Sequence, residues 1–95
     1  MSDLFVVVAY DVGDDRHRNK VFNTLHRYGE PVEYSVFECR ITSDQLARMR
    51  EELAQLAWAP EDDIRIYELC GGCARRILTL GRARSTNKPP PVFLY

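Results

Sequence analysis

The strongest constraint on this chain is the run Leu4-Phe5-Val6-Val7-Val8-Ala9-Tyr10, apolar throughout and ended by Asp11. Unbroken β-branched and aromatic hydrophobicity over so short a stretch predicts a strand buried on both faces at the centre of a sheet. The run is too short for a membrane span, and Asp3 rather than a base precedes it, so neither a membrane anchor nor a secretory signal is expected. A carboxylate at the exit of such a strand has a rigid support on which metal and phosphate chemistry can be positioned. Val12-Gly13-Asp14-Asp15 then leads away from it.

The rest of the pattern supplies partners for that strand. Asp14 or Asp15 can cap a helix over 16–28, where Val21, Leu25 and Tyr28 share one face and Gly29 ends the helix. Alternation begins at Val32 and continues through Tyr34 and Val36, which predicts extended chain over 32–41. It forms either two short strands sharing a bend or one long strand. Ser43 or Asp44 can cap a second helix over 43–58, with Leu46, Met49, Leu53 and Leu56 along one side. Residues 59–63 form a turn, 64–69 a strand, Gly71-Gly72 a hairpin turn and 76–80 a last short strand. The expected product is an α+β, ferredoxin-like sandwich with two helices on one face of a mainly antiparallel sheet, spanning residues 1–81. Residues 82–91 end in three prolines and should run extended. Val92, Phe93, Leu94 and Tyr95 then form a tail strand that needs a sheet edge of its own chain or of a partner.

At 95 residues the chain suits a single domain with much surface per unit of core, which favours a homodimer. Three cysteines, Cys39, Cys70 and Cys73, cannot complete a set of internal disulfides, so reduced thiols and a cytoplasmic location are expected. Cys70-Gly71-Gly72-Cys73 is half a zinc site with no second pair to complete it. A redox pair would follow a strand and open a helix, so two structural thiols in a tight turn are expected instead. The net charge of −1 conceals two stretches without acids: 16–27, with Arg16, Arg18 and Lys20, and 69–95, with Arg75, Arg76, Arg82, Arg84 and Lys88. Such clusters suit either a polyanion partner or simple solvation. His17 and His26 fall on a polar helix face. No Ser-His-Asp or Cys-His nucleophile pattern and no phosphate-cradling glycine loop is present.

For Asp11 two readings stay open on the residues alone. It is either the carboxylate of an Asx turn near Gly13 or a ligand of Mg²⁺, which needs a second copy or phosphate oxygens to complete its shell. Asp14 and Asp15 are explained by the helix start.

Tyr10-Asp11, Asp14-Asp15, Arg18-Asn19-Lys20-Val21, Tyr28-Gly29 and above all Tyr34-Ser35-Val36-Phe37-Glu38-Cys39 resemble the second core family of CRISPR-associated proteins, Cas-two. Ile64-Arg65-Ile66-Tyr67 and the segment ending in Gly81 extend the resemblance over about four fifths of the chain. The resemblance implies a ferredoxin-like homodimer in which Asp11 faces its symmetry mate, binds Mg²⁺ and is the catalytic residue of a metal-dependent endonuclease acting on RNA or DNA. It also implies a place in spacer acquisition, bridging the Cas-one integrase on duplex protospacer DNA as a non-catalytic adaptor or as a nuclease. Arg16, Arg18 and Lys20 would lie near the nucleic acid backbone, and Tyr10 and Phe37 near the dimer cleft. Where the family often carries a basic residue, this chain has Pro31 before Val32-Glu33. A toxin-like ribonuclease of the virulence-associated D type shares the fold and is the third reading.

Overall fold

A computed structural model describes residues 3–56 and 59–81. β1 (Leu4–Asp11) lies inside a four-stranded sheet of order β2-β3-β1-β4, with β2 Gly29–Glu33, β3 Val36–Ile41 and β4 Asp63–Leu69. Each neighbouring pair is antiparallel. Together with α1 (Asp15–His26) between β1 and β2, and α2 (Ser43–Ala54) between β3 and β4, this is the expected ferredoxin-like α+β arrangement. Of the two options for 32–41, two strands are present. They meet at a turn through Tyr34 and Ser35, and β2 begins earlier, at Gly29.

The register sets the core. Val8 sits opposite Phe37 on one side and Ile66 on the other, while Val6 lies opposite Cys39 and Tyr10 opposite Ile64. Side chains at these positions share one face of the pleat. Both helices cover that face, with Val21 and Leu25 from α1 and Leu46, Met49 and Leu53 from α2 joining Val6, Val8, Phe37 and Cys39 in one cluster. Leu56 packs at its margin, beyond the end of α2. Trp58, placed in this helix by the periodicity, lies outside the described residues.

Helix ends follow local chemistry with one shift. Asp14 caps α1, accepting hydrogen bonds from the Arg16 and His17 amides. The cap of α2 is Thr42 rather than Ser43 or Asp44: its hydroxyl accepts from Gln45 N–H while the Gln45 side chain accepts from Thr42 N–H. This reciprocal pair also satisfies the amide of the cap residue itself, which a cap side chain alone does not. α1 stops at the Arg27 C-cap, so Gly29 is not its terminator. Gly29 is required by a close approach, since a Cβ there would lie 2.3 Å from the Glu38 carbonyl oxygen and 2.5 Å from Cys39 Sγ.

Two expectations about the chain after β4 are corrected. Cys70 to Cys73 does not make a hairpin turn. Cys70 caps a four-residue helix, α3 (Gly71–Ala74), whose Ala74 is buried. No strand forms at 76–80: a turn covers 75–76, and 77–80 is irregular with Leu78 and Leu80 exposed. The backbone bonds that would extend β4 into a hairpin are instead used inside the turn, from Ala74 N–H to Cys70 and from Arg75 N–H to Gly71. The extended segment expected over 82–91 and the tail strand Val92–Tyr95 fall outside the described residues. No helix among the described residues is long and apolar enough to cross a membrane.

Candidate metal and nucleic-acid site

β1 alternates strictly, so the residues between its core positions point to the opposite side of the sheet. Phe5, Val7, Ala9 and Asp11 occupy that side. Phe5 is buried outside the main core, at the end of the sheet where α3 packs on β1 and β4. Val7 and Ala9 are half-buried, and Asp11 is exposed. Among the described residues the prediction of a strand buried on both faces therefore holds only at the Phe5 end.

The carboxylate of Asp11 is a donor without an internal engagement. Among the described residues no hydrogen bond or ion pair occupies it, so the Asx turn considered from the sequence is not formed. The turn chemistry belongs to Asp14 instead, whose two amide bonds hold its carboxyl below the ordinary range, the His17 amide contributing most.

Directly across the β1–β4 ladder from Asp11 stands Asp63. Opposed residues on antiparallel strands place their side chains on the same face, about 4.5–5.5 Å apart at Cβ. Asp63 was read as a turn residue and missed, yet it is the first residue of β4. Counting back along the ladder would reveal it, but the count needs a register that the sequence does not contain. Arg65, two positions along β4, donates from Nε to Asp63 Oδ2 at 2.8 Å and lies opposite Ala9. Two carboxylates and one guanidinium thus converge at the acidic end of the open face. Like charges placed opposite one another destabilise a ladder. An acid pair kept at the end of the central ladder suits a function better than it suits stability.

The predicted basic cluster divides. Arg18 closes the β1–α1 connection: its guanidinium donates to the Val12 carbonyl at 2.9 Å and the Gly13 carbonyl at 3.3 Å, and pairs with Asp15. That makes it a clamp on the loop that leaves Asp11. Arg16 and Lys20 are exposed on α1. Of the two histidines read onto a polar helix face, His26 is exposed with its ring 5.7 Å from that of Phe22, whereas His17 is half-buried.

Tyr10 and Phe37 face the helices. Phe37 has no exposed surface and stacks edge-on against Phe22 at 5.3 Å, with the Tyr10 ring 6.3 Å away. They support the end of β1 from beneath, on the side opposite Asp11, so neither is available on the open face. The Tyr10 hydroxyl is pushed up chiefly by burial and secondarily by nearby Tyr34, with Arg18 opposing. Tyr34 itself is 84% exposed at the β2–β3 turn. Among the described residues no three His, Cys, Asp or Glu side chains converge as metal ligands.

The family described as CRISPR associated protein Cas2 matches residues 4–77. A CRISPR-associated endoribonuclease Cas2 from Synechocystis is 34% identical over 88 residues, covering 93% of this chain and 96% of that relative. The crystal structure of Streptococcus pyogenes Cas2 at pH 6.5 superposes with a TM-score of 0.70 and 33% identity, covering 81% of this chain and 99% of that one. A chain of a partial Cas6-RT-Cas1–Cas2 complex is similar at a TM-score of 0.70 and 26% identity, over 81% of this chain and 90% of that one. With the family match spanning every strand of the sheet and both large helices, this chain belongs to the CRISPR-associated Cas2 family.

Proposed function

We propose that this protein acts in CRISPR spacer acquisition as a homodimer with Mg²⁺-dependent endonuclease activity, its two copies meeting across the open face so that the Asp11 carboxylates approach one another. The observation that carries this reading is the placement of Asp11: exposed, at the exit of a central strand, and free of internal partners among the described residues. A hard cation prefers oxygen ligands, and carboxylates from two copies would give a donor set that the described residues of one copy do not assemble. Asp63 adds a second carboxylate to each half.

When bound, the metal would supply an activated water and offset charge on a phosphodiester. The protein's own share is positional. The β1 ladder to β3 and β4 fixes Asp11, and Arg18 ties down the following loop. Exposed Arg16 and Lys20 on α1, the helix that follows this loop, would give phosphate-binding charge.

The test is cleavage of single-stranded RNA and of duplex DNA, side by side, with and without Mg²⁺. Asp11→Asn should lower divalent-dependent cleavage by about 100-fold or more while light scattering reports an unchanged dimer. Unaltered cleavage by that variant would overturn the assignment.

A second reading is favoured by a different observation: among the described residues no group of three metal-ligating side chains converges, and a similar chain occurs in a complex described as containing Cas1. On this reading the protein is a non-catalytic adaptor between the Cas1 integrase and protospacer DNA, docked through Val92–Tyr95. Removing those four residues should abolish assembly with the integrase, and full spacer integration by the truncated protein would exclude the role.

A further inference from the structure

The segment after β4 holds chemistry that the nuclease and adaptor readings leave unused. Cys70 follows a strand and caps the first turn of α3, and Cys73 lies one turn later, so the two thiols stand on the same side of one short turn. The Cys73 amide donates to Cys70 Sγ at 3.3 Å. Both cysteines are exposed and neither is in a disulfide. The two residues between them carry no side chain: a Cβ on Gly72 would lie 3.9 Å from Cys70 Sγ, in contact with the sulfur that glycine leaves bare. Arg75 reaches back over the turn, its Nη1 3.6 Å from where a Gly71 Cβ would be.

We propose that Cys70 and Cys73 are a reversible dithiol–disulfide pair that reacts with small anionic disulfides such as glutathione disulfide, with Cys70 as the attacking sulfur and Cys73 as the resolving one. In the first step the Cys70 thiolate donates an electron pair to one sulfur of the small disulfide. A mixed disulfide forms, the small S–S bond breaks, and one thiolate leaves and takes a proton from solvent. Cys73 then loses its proton and attacks Cys70 Sγ, displacing the second small thiolate. Two protein thiols are oxidised to one disulfide and one small disulfide is reduced to two thiols.

The division of roles has a physical cause. Hydrogen bonds received by Cys70, first from the Cys73 amide and then from the Cys73 thiol, favour its thiolate and lower its pKa. The same contact with Cys70 raises that of Cys73. The thiolate is the nucleophile in exchange, so the sulfur that ionises first attacks first. Exposed Arg75 and Arg76 on the turn attract the carboxylates of the incoming disulfide. Cys39 provides the contrast within the same chain. It is fully buried in the core, and burial pushes its thiol up to about 11, which leaves it unreactive in the folded protein.

The consequence falls on the route by which the chain leaves the sheet. α3 packs on β1 and β4, and its last turn leads into the irregular segment with exposed Leu78 and Leu80. A disulfide across the first turn would restrict that turn and the direction in which the segment departs.

Tryptic cleavage places Cys70 and Cys73 together on peptide 66–75 and Cys39 alone on peptide 28–40, so oxidation can be read site by site. The full-length reduced protein is equilibrated with mixtures of reduced and oxidised glutathione, quenched in acid, alkylated in denaturant and analysed by mass spectrometry. Peptide 66–75 should convert to a form lighter by two hydrogens and free of alkyl label, and return to the dithiol in excess reduced glutathione. Over the same range peptide 28–40 should stay fully labelled, as a reduced thiol. Cys73→Ser should trap a stable glutathione adduct on Cys70, and in Cys70→Ser the adduct on Cys73 should form about 10-fold more slowly. Two separate glutathione adducts on wild-type peptide 66–75, a disulfide joining two chains, or no oxidation at any ratio would each overturn the proposal.

Discussion

The two faces of the sheet are built from the same strand and differ in nearly every respect. On the helix-covered face, Val6, Val8 and Phe37 have no exposed surface and pack with Leu25 and Met49. On the opposite face the intervening residues of β1 pass from buried Phe5 through half-buried Val7 and Ala9 to exposed Asp11, with Glu38, Arg40, Arg65 and Tyr67 as ladder neighbours. One face is held by burial, where each fully buried large side chain contributes about 1.5–3 kcal/mol. The other carries a charged pair, Asp11 and Asp63, whose placement opposes stability. On the proposed reading, stability and chemistry fall to alternate residues of one strand.

The largest effect that would test this division is on the covered face. Phe37→Ala should cost about 3–5 kcal/mol, read as a shift of the urea midpoint with little change in slope. A loss below 1 kcal/mol would mean the face is not the core it appears from burial. Next comes Gly29→Ala, which drives a methyl group into the Glu38 carbonyl and Cys39 where β2 meets β3. A loss of about 1–3 kcal/mol is expected, and because the obstruction is backbone, Gly29→Ser should be no milder. On the open face the sign reverses. Asp11→Asn removes one of two opposed charges and should leave stability unchanged or raise it by up to about 1 kcal/mol in the absence of divalent ions, although the same variant should lose divalent-dependent cleavage. Clear destabilisation would show that Asp11 holds the fold together.

The smallest effect concerns pH. Because the folded-state pKa of Asp14 is depressed by the His17 and Arg16 amides, its contribution is present above the ordinary carboxylate pKa and is lost as pH falls through the lower folded value. An NMR titration of the Asp14 carboxyl should give a midpoint below 3.8 in the folded protein. Asp14→Ala should remove the associated part of the acid loss of stability.

Much of this was legible in the residues because it depends on local pattern. The β1 run, a cap at Asp14 or Asp15, the stripes Val21–Leu25 and Leu46–Met49–Leu53, and the family motif around Tyr34 to Cys39 are all written in local pattern. The errors arose where two local solutions compete. Gly29 looks like a helix stop, but its role is to admit another strand. Two glycines after β4 suggest a hairpin, but the chain closes a helical turn because Cys70 can cap it and Ala74 can bury itself against β1 and β4. Arg18 appears in sequence beside Arg16 and Lys20 as one cationic cluster, and only the loop's carbonyls single it out.

The sequence by itself determined the order of elements as far as β4, the apolar face of each of the two long helices, the placement of a carboxylate at the end of the first strand and the family, because periodicity, capping and motif spacing are written along the chain. Tertiary structure decided which side of the sheet Asp11 occupies, that Asp63 stands across from it, that Phe37 is core, and that Cys70 opens a helical turn packed on β1 and β4 where a hairpin was expected. Those facts depend on strand register and on which surfaces the helices cover, and both are settled by long-range packing that no local stretch of residues encodes.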